Sequence, residues 1–163
     1  MMRIGYGEDI HRFAENRKLI LGGIEIPYEK GLLGHSDADA VVHALVDALL
    51  GALVLGDIGT LYPDTDPKNK DMDSMKILAH VMGLVKGKGY VVNNVDITVY
   101  CERPKLGPYK RKIAENLAKA MSISETDVSV KAKTNEGLGP VGEGLALRVS
   151  AIALLTKGEA NDQ

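Results

Sequence analysis

Apolar and polar residues alternate over several stretches of the chain, which is the spacing of half-buried β-strands. Strands are predicted over residues 2–7, 94–102, 127–134 and 145–155. Two further apolar runs flank Gly22 and Gly23, so residues 18–27 predict a hairpin.

Apolar positions at helical spacing predict three helices between these strands. In the first, the Ser36 hydroxyl is the expected N-cap with Asp39 three residues on, and the helix runs to about Leu55. The other helices cover residues 72–86 and about 108–121, and residues 56–67 and 137–144 are predicted loops. Because strands and helices interleave, the sequence predicts a sheet covered by helices on one face.

Length and composition indicate one domain, predicted for residues 1–157, with a frayed tail at 158–163. The net charge is −2 and only 4% of residues are aromatic, which gives no support for nucleic-acid binding. Cys101 is the only cysteine, which argues against an intrachain disulfide and a cysteine-rich zinc site and fits a reducing cytoplasm. We expect neither a signal peptide nor a membrane span, because charged or polar residues interrupt the apolar stretches.

The stretch GYGEDIHR places Asp9 and His11 two residues apart, directly after the first predicted strand. In an extended segment, side chains two apart point the same way. With a distant histidine they would form a three-ligand set that leaves a fourth zinc position open for water or substrate. The alternative is an imidazole–carboxylate pair within a turn, and the spacing alone leaves both interpretations open.

The first predicted helix carries Asp39, His43 and Asp47 at intervals of four residues, which places them on one face. Such a face is usually solvated, and this helix alone favours that interpretation. A carboxylate beside a histidine is also the usual support of a metal ligand.

Two polar segments have the composition of ligand sites. For the first, a plain helix cap at Ser36 with a surface His35 is the favoured interpretation, and for the second, a solvated loop is at least as well supported. GHSDAD brings His35 to a helix start, where unpaired N–H groups attract anions. GDIGTLYPDTD carries Asp57, Asp64 and Asp66 among turn residues, as small-molecule pockets often do.

The segment KTNEG joins a predicted strand end to a glycine-rich loop. Lys133 and Thr134 are donors suited to a phosphate, and Glu136 is a hard oxygen ligand suited to a divalent cation, although a solvated strand end would look the same. The loop itself, GLGPVGEG, lacks the Gly-Lys-Ser/Thr of a P-loop.

Taken together, these segments match the sequence pattern of one known enzyme family. The chain resembles the 2-C-methyl-D-erythritol 2,4-cyclodiphosphate synthase family nearly from end to end. The resemblance is carried by RIGYGEDIHR, LGGIEIPYEKGLLGHSDADAVVHALVDALLGA, LGDIGTLYPDTDP, ERPKLGP and KAKTNEGLG.

The resemblance implies an α/β (α+β) two-layer sandwich, with a mixed β-sheet and helices on one face, that forms a homotrimer with active sites between subunits. It implies a cytoplasmic, metal-dependent phosphorus–oxygen lyase of the non-mevalonate isoprenoid pathway. The substrate would be 4-diphosphocytidyl-2-C-methyl-D-erythritol 2-phosphate, whose 2-phosphate attacks the β-phosphorus so that CMP leaves and the 2,4-cyclodiphosphate forms. Neither a nucleic acid nor a membrane is an expected partner.

The resemblance also implies roles for individual residues. Zinc, one ion per subunit, would be held by Asp9, His11 and His43. Glu136 would hold a second divalent ion, Mg²⁺ or Mn²⁺, and His35 and Thr134 would stabilise the transition state. The implied erythritol pocket consists of Asp57, Ile58, Gly59, Tyr62, Pro63, Asp64, Thr65 and Asp66. The implied cytidine pocket consists of Cys101, Glu102, Arg103, Pro104, Lys105, Leu106, Gly107, Ala132 and Lys133, and Ser36 and Asn135 complete the substrate-binding set.

Two features depart from the family pattern. Glu8 stands where the family often has an aromatic residue, which predicts added negative charge beside the zinc ligands. The segment GPVGEG is shorter than in many members and lacks an arginine that faces a central cavity in the family. Binding of an isoprenoid diphosphate in such a cavity is therefore left open.

Two other functions use the same residues. A zinc-dependent phosphohydrolase would activate water with Asp39 or Asp47 as general base and release inorganic phosphate. A non-catalytic trimer that binds a phospho-ligand is less favoured, because a binder has no need of zinc ligands together with Lys105 and Glu136. Fusion to a cytidylyltransferase domain is not expected at 163 residues.

Overall fold

The computed structural model describes residues 1–158, which form a five-stranded sheet, a separate two-stranded hairpin and a set of helices. The strands are β1 (Met2–Glu15), β2 (Leu19–Leu21), β3 (Ile24–Ile26), β4 (Lys30–Leu32), β5 (Tyr90–Tyr100), β6 (Val128–Lys133) and β7 (Ala146–Lys157). The helices are α1 (Ala40–Ala52), α2 (Ile58–Leu61), α3 (Ser74–Gly87), α4 (Lys110–Met121) and α5 (Gly139–Gly142). Of the predicted tail, 159–163 lie outside the described residues, and the Gly158 N–H donates to the Gly89 carbonyl at 3.0 Å.

The large sheet is mixed, with strand order β4-β1-β7-β5-β6. Neighbouring strands are antiparallel except β5 and β6, which are parallel and are connected through α4. This mixed sheet with helices confirms the predicted α/β class. Among the described residues, no helix is long and apolar enough to cross a bilayer.

Helix α1 lies directly against β1 because β1 presents glycines to it. A Cβ atom on Gly5 would come within 1.8 Å of the Ala48 carbonyl oxygen, and one on Gly7 within 2.1 Å of the Ala44 carbonyl oxygen. Most residues of α1 are buried. The close approach therefore brings the polar residues of α1 next to the side chains that follow Gly7 on β1.

The other face of the sheet is not covered by the described helices. Its apolar side chains include Ile4, Tyr6 and Ile10 of β1, which are 72%, 58% and 55% exposed, and Ile152 of β7, which is 43% exposed. A monomer seldom exposes such a contiguous apolar patch, which is typical of an interaction surface.

Glu8 belongs to this uncovered face, where its carboxylate accepts from Arg148 at 2.8 Å. Alternate residues of a strand point to opposite sides, so Glu8 points away from Asp9 and His11. The prediction that Glu8 adds charge beside those two residues is therefore wrong.

The first strand and first helix differ from their predicted bounds. β1 continues beyond Gly7 to Glu15, because residues 8–12 pair with β7 and residues 13–15 pair with β4. The N-cap of α1 is Asp39, which accepts the Val42 N–H at 3.0 Å, so the prediction of Ser36 as cap is wrong. The helix ends at Ala52, and Val54 adopts a left-handed conformation with φ 57°. The short elements β4, α2 and α5 were not predicted.

Candidate metal and substrate site

Three side chains with metal-ligating atoms converge where β1 packs on α1. Oδ2 of Asp9 lies 2.7 Å from Nε2 of His11 and 3.1 Å from Nδ1 of His43. One ligand atom from each residue lies within 4.8 Å of the other two. The structure thus brings the Asp9 and His11 pair together with a histidine distant in sequence.

The orientation of His11 leaves one ring nitrogen available. Its Nδ1 donates to the Leu33 carbonyl at 2.8 Å. Its Nε2 is buried and has no partner with hydrogen-bond geometry among residues 1–158, although it lies beside Asp9. A buried, unpartnered nitrogen next to a carboxylate and a second imidazole is a donor set that a divalent cation satisfies, and nitrogen and oxygen ligands suit zinc.

The pKa values of His11 and Asp9 are both shifted within this cluster. Burial lowers the pKa of His11, but the adjacent Asp9 carboxylate outweighs burial, and the pKa of His11 is raised. Burial raises the pKa of Asp9, but the two imidazoles outweigh it, and the pKa of Asp9 is lowered. Below the raised pKa of His11, a cation that binds here has to displace a proton, so its affinity falls as the pH is lowered.

The second nitrogen of His43 faces away from Asp9. Its Nε2 lies 2.9 Å from the Ser74 hydroxyl and 3.2 Å from the Ser36 hydroxyl. The Ser74 hydroxyl also bonds to the Asp37 carboxylate. Neither Ser74 nor Asp37 was predicted, because neither shows a spacing that relates it to His43.

The triad opens into a cavity of about 270 Å³. The cavity is lined by Asp9, His11, Gly34, His35, Ser36, His43, Ile58, Gly59, Tyr62, Asp64, Asn69, Met72 and Ile77. The implied erythritol-pocket residues Ile58, Gly59, Tyr62 and Asp64 are thus next to the triad. Nε2 of His35 is buried here without a hydrogen-bond partner in the described part of the chain.

Four other residues of the implied erythritol pocket do not line this cavity: Asp57, Pro63, Thr65 and Asp66. Asp57 caps α2 by accepting the Thr60 N–H at 2.8 Å, and Asp66 accepts the Lys68 N–H at 3.0 Å. Their contact with a substrate stays a prediction.

Three side chains hold the loop that carries the cavity wall. The Asp47 carboxylate of α1 accepts the Ile58 N–H at 2.8 Å. The Asn69 amide donates to the Pro63 carbonyl at 2.9 Å, and the Tyr62 hydroxyl bonds to Nδ1 of His80 on α3. The wall is therefore fixed to both α1 and α3.

Asp39 does not belong to the site. It is fully buried, and its carboxylate accepts the N–H groups of Gly22 and Gly23 at 2.9 and 2.7 Å. Burial raises its pKa to about 6. The prediction that it shares a solvated face with His43 is wrong, because a cap residue does not follow helical geometry.

A second cavity, of about 310 Å³, lies where β5 and β6 end. It is lined by Cys101, Pro104, Lys105, Leu106, Gly107, Pro108, Lys110, Ala132, Lys133 and Thr134. Most of the implied cytidine pocket is therefore contiguous, and Pro108 and Lys110 were missed because they read as the start of a helix.

The remaining residues of the implied nucleotide site are neighbours, along the chain, of residues that line this second cavity, but they do not line it themselves. Glu102 accepts the Asn135 N–H at 2.7 Å, and the Asn135 amide donates to the Leu138 carbonyl at 2.7 Å. Arg103 and Glu136 also lie outside the lining. Glu136 is exposed and follows Thr134, whose hydroxyl accepts its N–H at 3.3 Å.

The two cavities lie at the same end of the sheet. His11 on β1 pairs with Leu147 on β7. The next residue, Arg148, pairs with Tyr100 on β5, which in turn pairs with Lys133 on β6. β1 and β6 are three strand spacings apart, about 14 Å. Within the described chain the cavities share no lining residue.

Comparison with known proteins gives consistent matches over nearly the whole chain. A family model described as the YgbB family matches residues 2–156. The 2-C-methyl-D-erythritol 2,4-cyclodiphosphate synthase of Trichlorobacter lovleyi is 54% identical over 154 residues, covering 94% of this chain and 98% of its own length.

Solved structures agree with these matches. A 2C-methyl-D-erythritol-2,4-cyclodiphosphate synthase in a CDP-bound form has a TM-score of 0.87 and 42% identity, covering 94% of this chain and 100% of that chain. The bifunctional IspDF from Campylobacter jejuni has a TM-score of 0.93 and 41% identity over 96% of this chain, which spans 42% of that longer chain.

Proposed function

The chain belongs to the YgbB family, and on this premise we propose that it is a cyclodiphosphate synthase of isoprenoid biosynthesis. It converts 4-diphosphocytidyl-2-C-methyl-D-erythritol 2-phosphate to 2-C-methyl-D-erythritol 2,4-cyclodiphosphate and CMP. The observation that carries this proposal is the convergence of Asp9, His11 and His43 in a cavity walled by the segment GDIGTLYPD.

In this proposal Asp9, His11 and His43 hold one zinc ion per subunit. Nε2 of His11 supports the assignment, since it is buried, makes no contact with hydrogen-bond geometry among residues 1–158 and lies 2.7 Å from Oδ2 of Asp9, so that both atoms can face one cation. Three protein ligands leave a fourth position for a phosphate oxygen. When bound, the cation neutralises negative charge that develops on the transferred phosphoryl group.

The chemistry is a phosphoryl transfer within one molecule. An oxygen of the 2-phosphate forms a bond to the β-phosphorus, and the bond from that phosphorus to the CMP oxygen breaks, so CMP leaves with the electron pair. The attacking oxygen is already ionised, so the chain need not supply a nucleophile or a base. Tyr62 and Ile58 would orient the erythritol and exclude water, and Nε2 of His35 would donate to a phosphate oxygen.

The nucleotide half of the substrate would occupy the second cavity. CDP is the ligand of the related solved structure with 42% identity, which supports a cytidine diphosphate ligand here. Lys105 and Lys133 are positively charged and line that cavity, and Thr134 would donate to the phosphates. Glu102, Arg103 and Asn135 would position this wall, as Glu102 does by accepting the Asn135 N–H.

Glu136 would hold the second ion, Mg²⁺ or Mn²⁺, with the remaining positions filled by phosphates and water. A Glu136→Ala variant should keep its zinc, because Glu136 lies outside the triad, but should lose turnover by about 100-fold as binding of the second ion weakens. Zinc analysis together with turnover measured against Mg²⁺ concentration tests this. Wild-type turnover with an unchanged Mg²⁺ dependence would contradict the role of Glu136.

We infer a homotrimer in which each active site joins the zinc cavity of one subunit to the nucleotide cavity of the next. Two observations support it: the cavities are separate within one chain, and the uncovered sheet face exposes Ile4, Tyr6, Ile10 and Ile152. A cyclic assembly would bury that face.

Mixing two inactive variants tests the shared site. His43→Ala damages the zinc half, and Lys105→Ala damages the nucleotide half. In trimers that contain both subunits, one site combines an intact zinc half with an intact nucleotide half, so turnover should reappear on mixing. If each site lay within one subunit, mixed trimers would stay inactive. Giving the two variants different tags and purifying on both tags in turn isolates the mixed trimers, so that their turnover can be measured alone.

Mass spectrometry of the products distinguishes the proposed reaction from its rivals. The synthase yields the cyclic diphosphate, whereas hydrolysis yields inorganic phosphate or a product heavier by one water molecule. Asp39 is no candidate for a hydrolytic base, because backbone N–H groups occupy its buried carboxylate. Residues 1–157 as a single domain and a cytoplasmic location remain parts of the proposal.

A further inference from the structure

A buried chain of hydrogen bonds ends on the nitrogen of His43 that faces away from Asp9. Ser74, the first residue of α3, is fully buried, and its hydroxyl lies 2.9 Å from Nε2 of His43. The same hydroxyl bonds to Oδ1 of Asp37. The Asp37 carboxylate also accepts the Ser74 N–H at 2.9 Å and the Asp39 N–H at 3.1 Å.

The direction of each bond follows from the protons that the groups carry. A carboxylate group only accepts hydrogen bonds, so the Ser74 hydroxyl donates its only proton to Oδ1 of Asp37. The hydroxyl oxygen is then left as an acceptor toward Nε2 of His43. A hydrogen on Nε2 satisfies this acceptor and leaves a lone pair on Nδ1 for the metal, whereas the Asp9 carboxylate, whose Oδ2 lies 3.1 Å from Nδ1, favours the opposite tautomer.

We propose that Asp37 and Ser74 are positioning residues that fix His43 in the tautomer with hydrogen on Nε2, so that Nδ1 is ready to bind the metal. This rests on the zinc site of the proposed function. Neither residue touches the cation or the substrate, and both act through His43.

Ser36 cannot supply the same constraint. Its hydroxyl lies farther from Nε2 of His43, at 3.2 Å, and it already accepts the Ala38 N–H at 3.2 Å. Its proton is not committed to a carboxylate, so it can either donate to the imidazole or accept from it. Ser36 therefore serves as the matched comparison for Ser74.

The first test is the tautomer of His43 in the metal-free wild-type protein. Long-range ¹H–¹⁵N correlation spectra of protein labelled on its histidines report which ring nitrogen carries the hydrogen, and the His43→Asn spectrum assigns the signal. We expect hydrogen on Nε2 at a pH where the ring is neutral. Hydrogen on Nδ1 would overturn the proposal without any need for a Ser74 variant.

The second test is zinc affinity, measured by competition with a chelator on wild type, Ser74→Ala, Ser74→Thr and Ser36→Ala. Ser74→Ala should bind zinc about 10- to 100-fold more weakly, with His43 present as a mixture of tautomers. Ser74→Thr keeps the hydroxyl and should recover most of the affinity, and Ser36→Ala should lose less than Ser74→Ala. Thermal unfolding of the metal-free variants shows whether each is folded.

The outcomes separate this proposal from the function on which it rests. If the wild type binds no zinc, the metal site itself is wrong. If the wild type binds zinc and folded Ser74→Ala binds it equally tightly, the metal site stands and the positioning role is overturned. A larger loss in Ser36→Ala than in Ser74→Ala would overturn it as well.

Discussion

A His43→Ala variant is expected to bind no stoichiometric zinc and to lose turnover by at least about 1,000-fold, because the stabilisation supplied by a bound cation amounts to several kcal/mol. His43 provides the ligand from α1, whereas Asp9 and His11 both come from β1. Its side chain is only 12% exposed, so solvent is poorly placed to replace the missing nitrogen. Zinc content by elemental analysis and CMP release measured on the same preparation check both parts of the prediction.

The control for this variant is His80→Ala, which removes a histidine outside the triad. His80 lies on α3 and bonds to Tyr62, so its loss should leave the zinc content at one ion per subunit. Thermal unfolding of the metal-free proteins shows that both variants are folded. Full zinc occupancy in His43→Ala would remove His43 from the ligand set.

A Gly7→Ala variant is expected to lose stability by about 3 kcal/mol or more, because overpacking against backbone cannot relax cheaply. The added Cβ would lie 2.1 Å from the Ala44 carbonyl oxygen and 2.8 Å from the Ala48 nitrogen, both in the backbone of α1. Helix α1 would have to move off the sheet, and His43 would move away from Asp9. Urea unfolding measures the first effect, and zinc affinity measures the second.

Gly83→Ala provides the matched comparison on the same chain. Gly83 lies within α3, and a Cβ atom there would meet no other atom within 4 Å. Alanine is favoured over glycine inside a helix, so this variant should gain up to about 1 kcal/mol. Equal stability of Gly7→Ala and wild type would show that α1 does not pack on β1 as described.

The periodicity of apolar residues predicted the helices and strands that bury one face. It failed where pairing with a distant strand, rather than the local pattern, determines the structure. The apolar positions of 72–86 correspond closely to α3, and the alternation over 94–102 overlaps β5, which begins four residues earlier at Tyr90 and ends at Tyr100. The predicted first strand ends at Gly7 because the segment GEDIHR is mostly polar. In the structure the residues of this segment continue the pairing of β1 with β7. Only the partner strand, which lies at the other end of the chain, shows that this segment is extended.

The same limit applies to the candidate site. The spacing of Asp9 and His11 allowed a metal site without deciding it, and the helix that carries His43 favoured a solvated face. Only the resemblance to the family implied the three residues as one ligand set. Asp39 also has the four-residue spacing from His43 that is typical of one helix face. In the structure, however, it is the N-cap of α1, and its carboxylate accepts the N–H groups of Gly22 and Gly23. Asp37 and Ser74 meet at His43 only because the start of α3 folds against the segment before α1, a tertiary contact that no local spacing reveals.

The most direct test of the central claim is phosphorus NMR of the metal-replete protein incubated with 4-diphosphocytidyl-2-C-methyl-D-erythritol 2-phosphate and Mg²⁺, with and without a chelator. We expect the signals of CMP and a cyclic diphosphate to appear together, to vanish with the chelator and to return when zinc and Mg²⁺ are restored. Inorganic phosphate in place of the cyclic product, or unchanged substrate signals in the metal-replete protein, would contradict the proposed function.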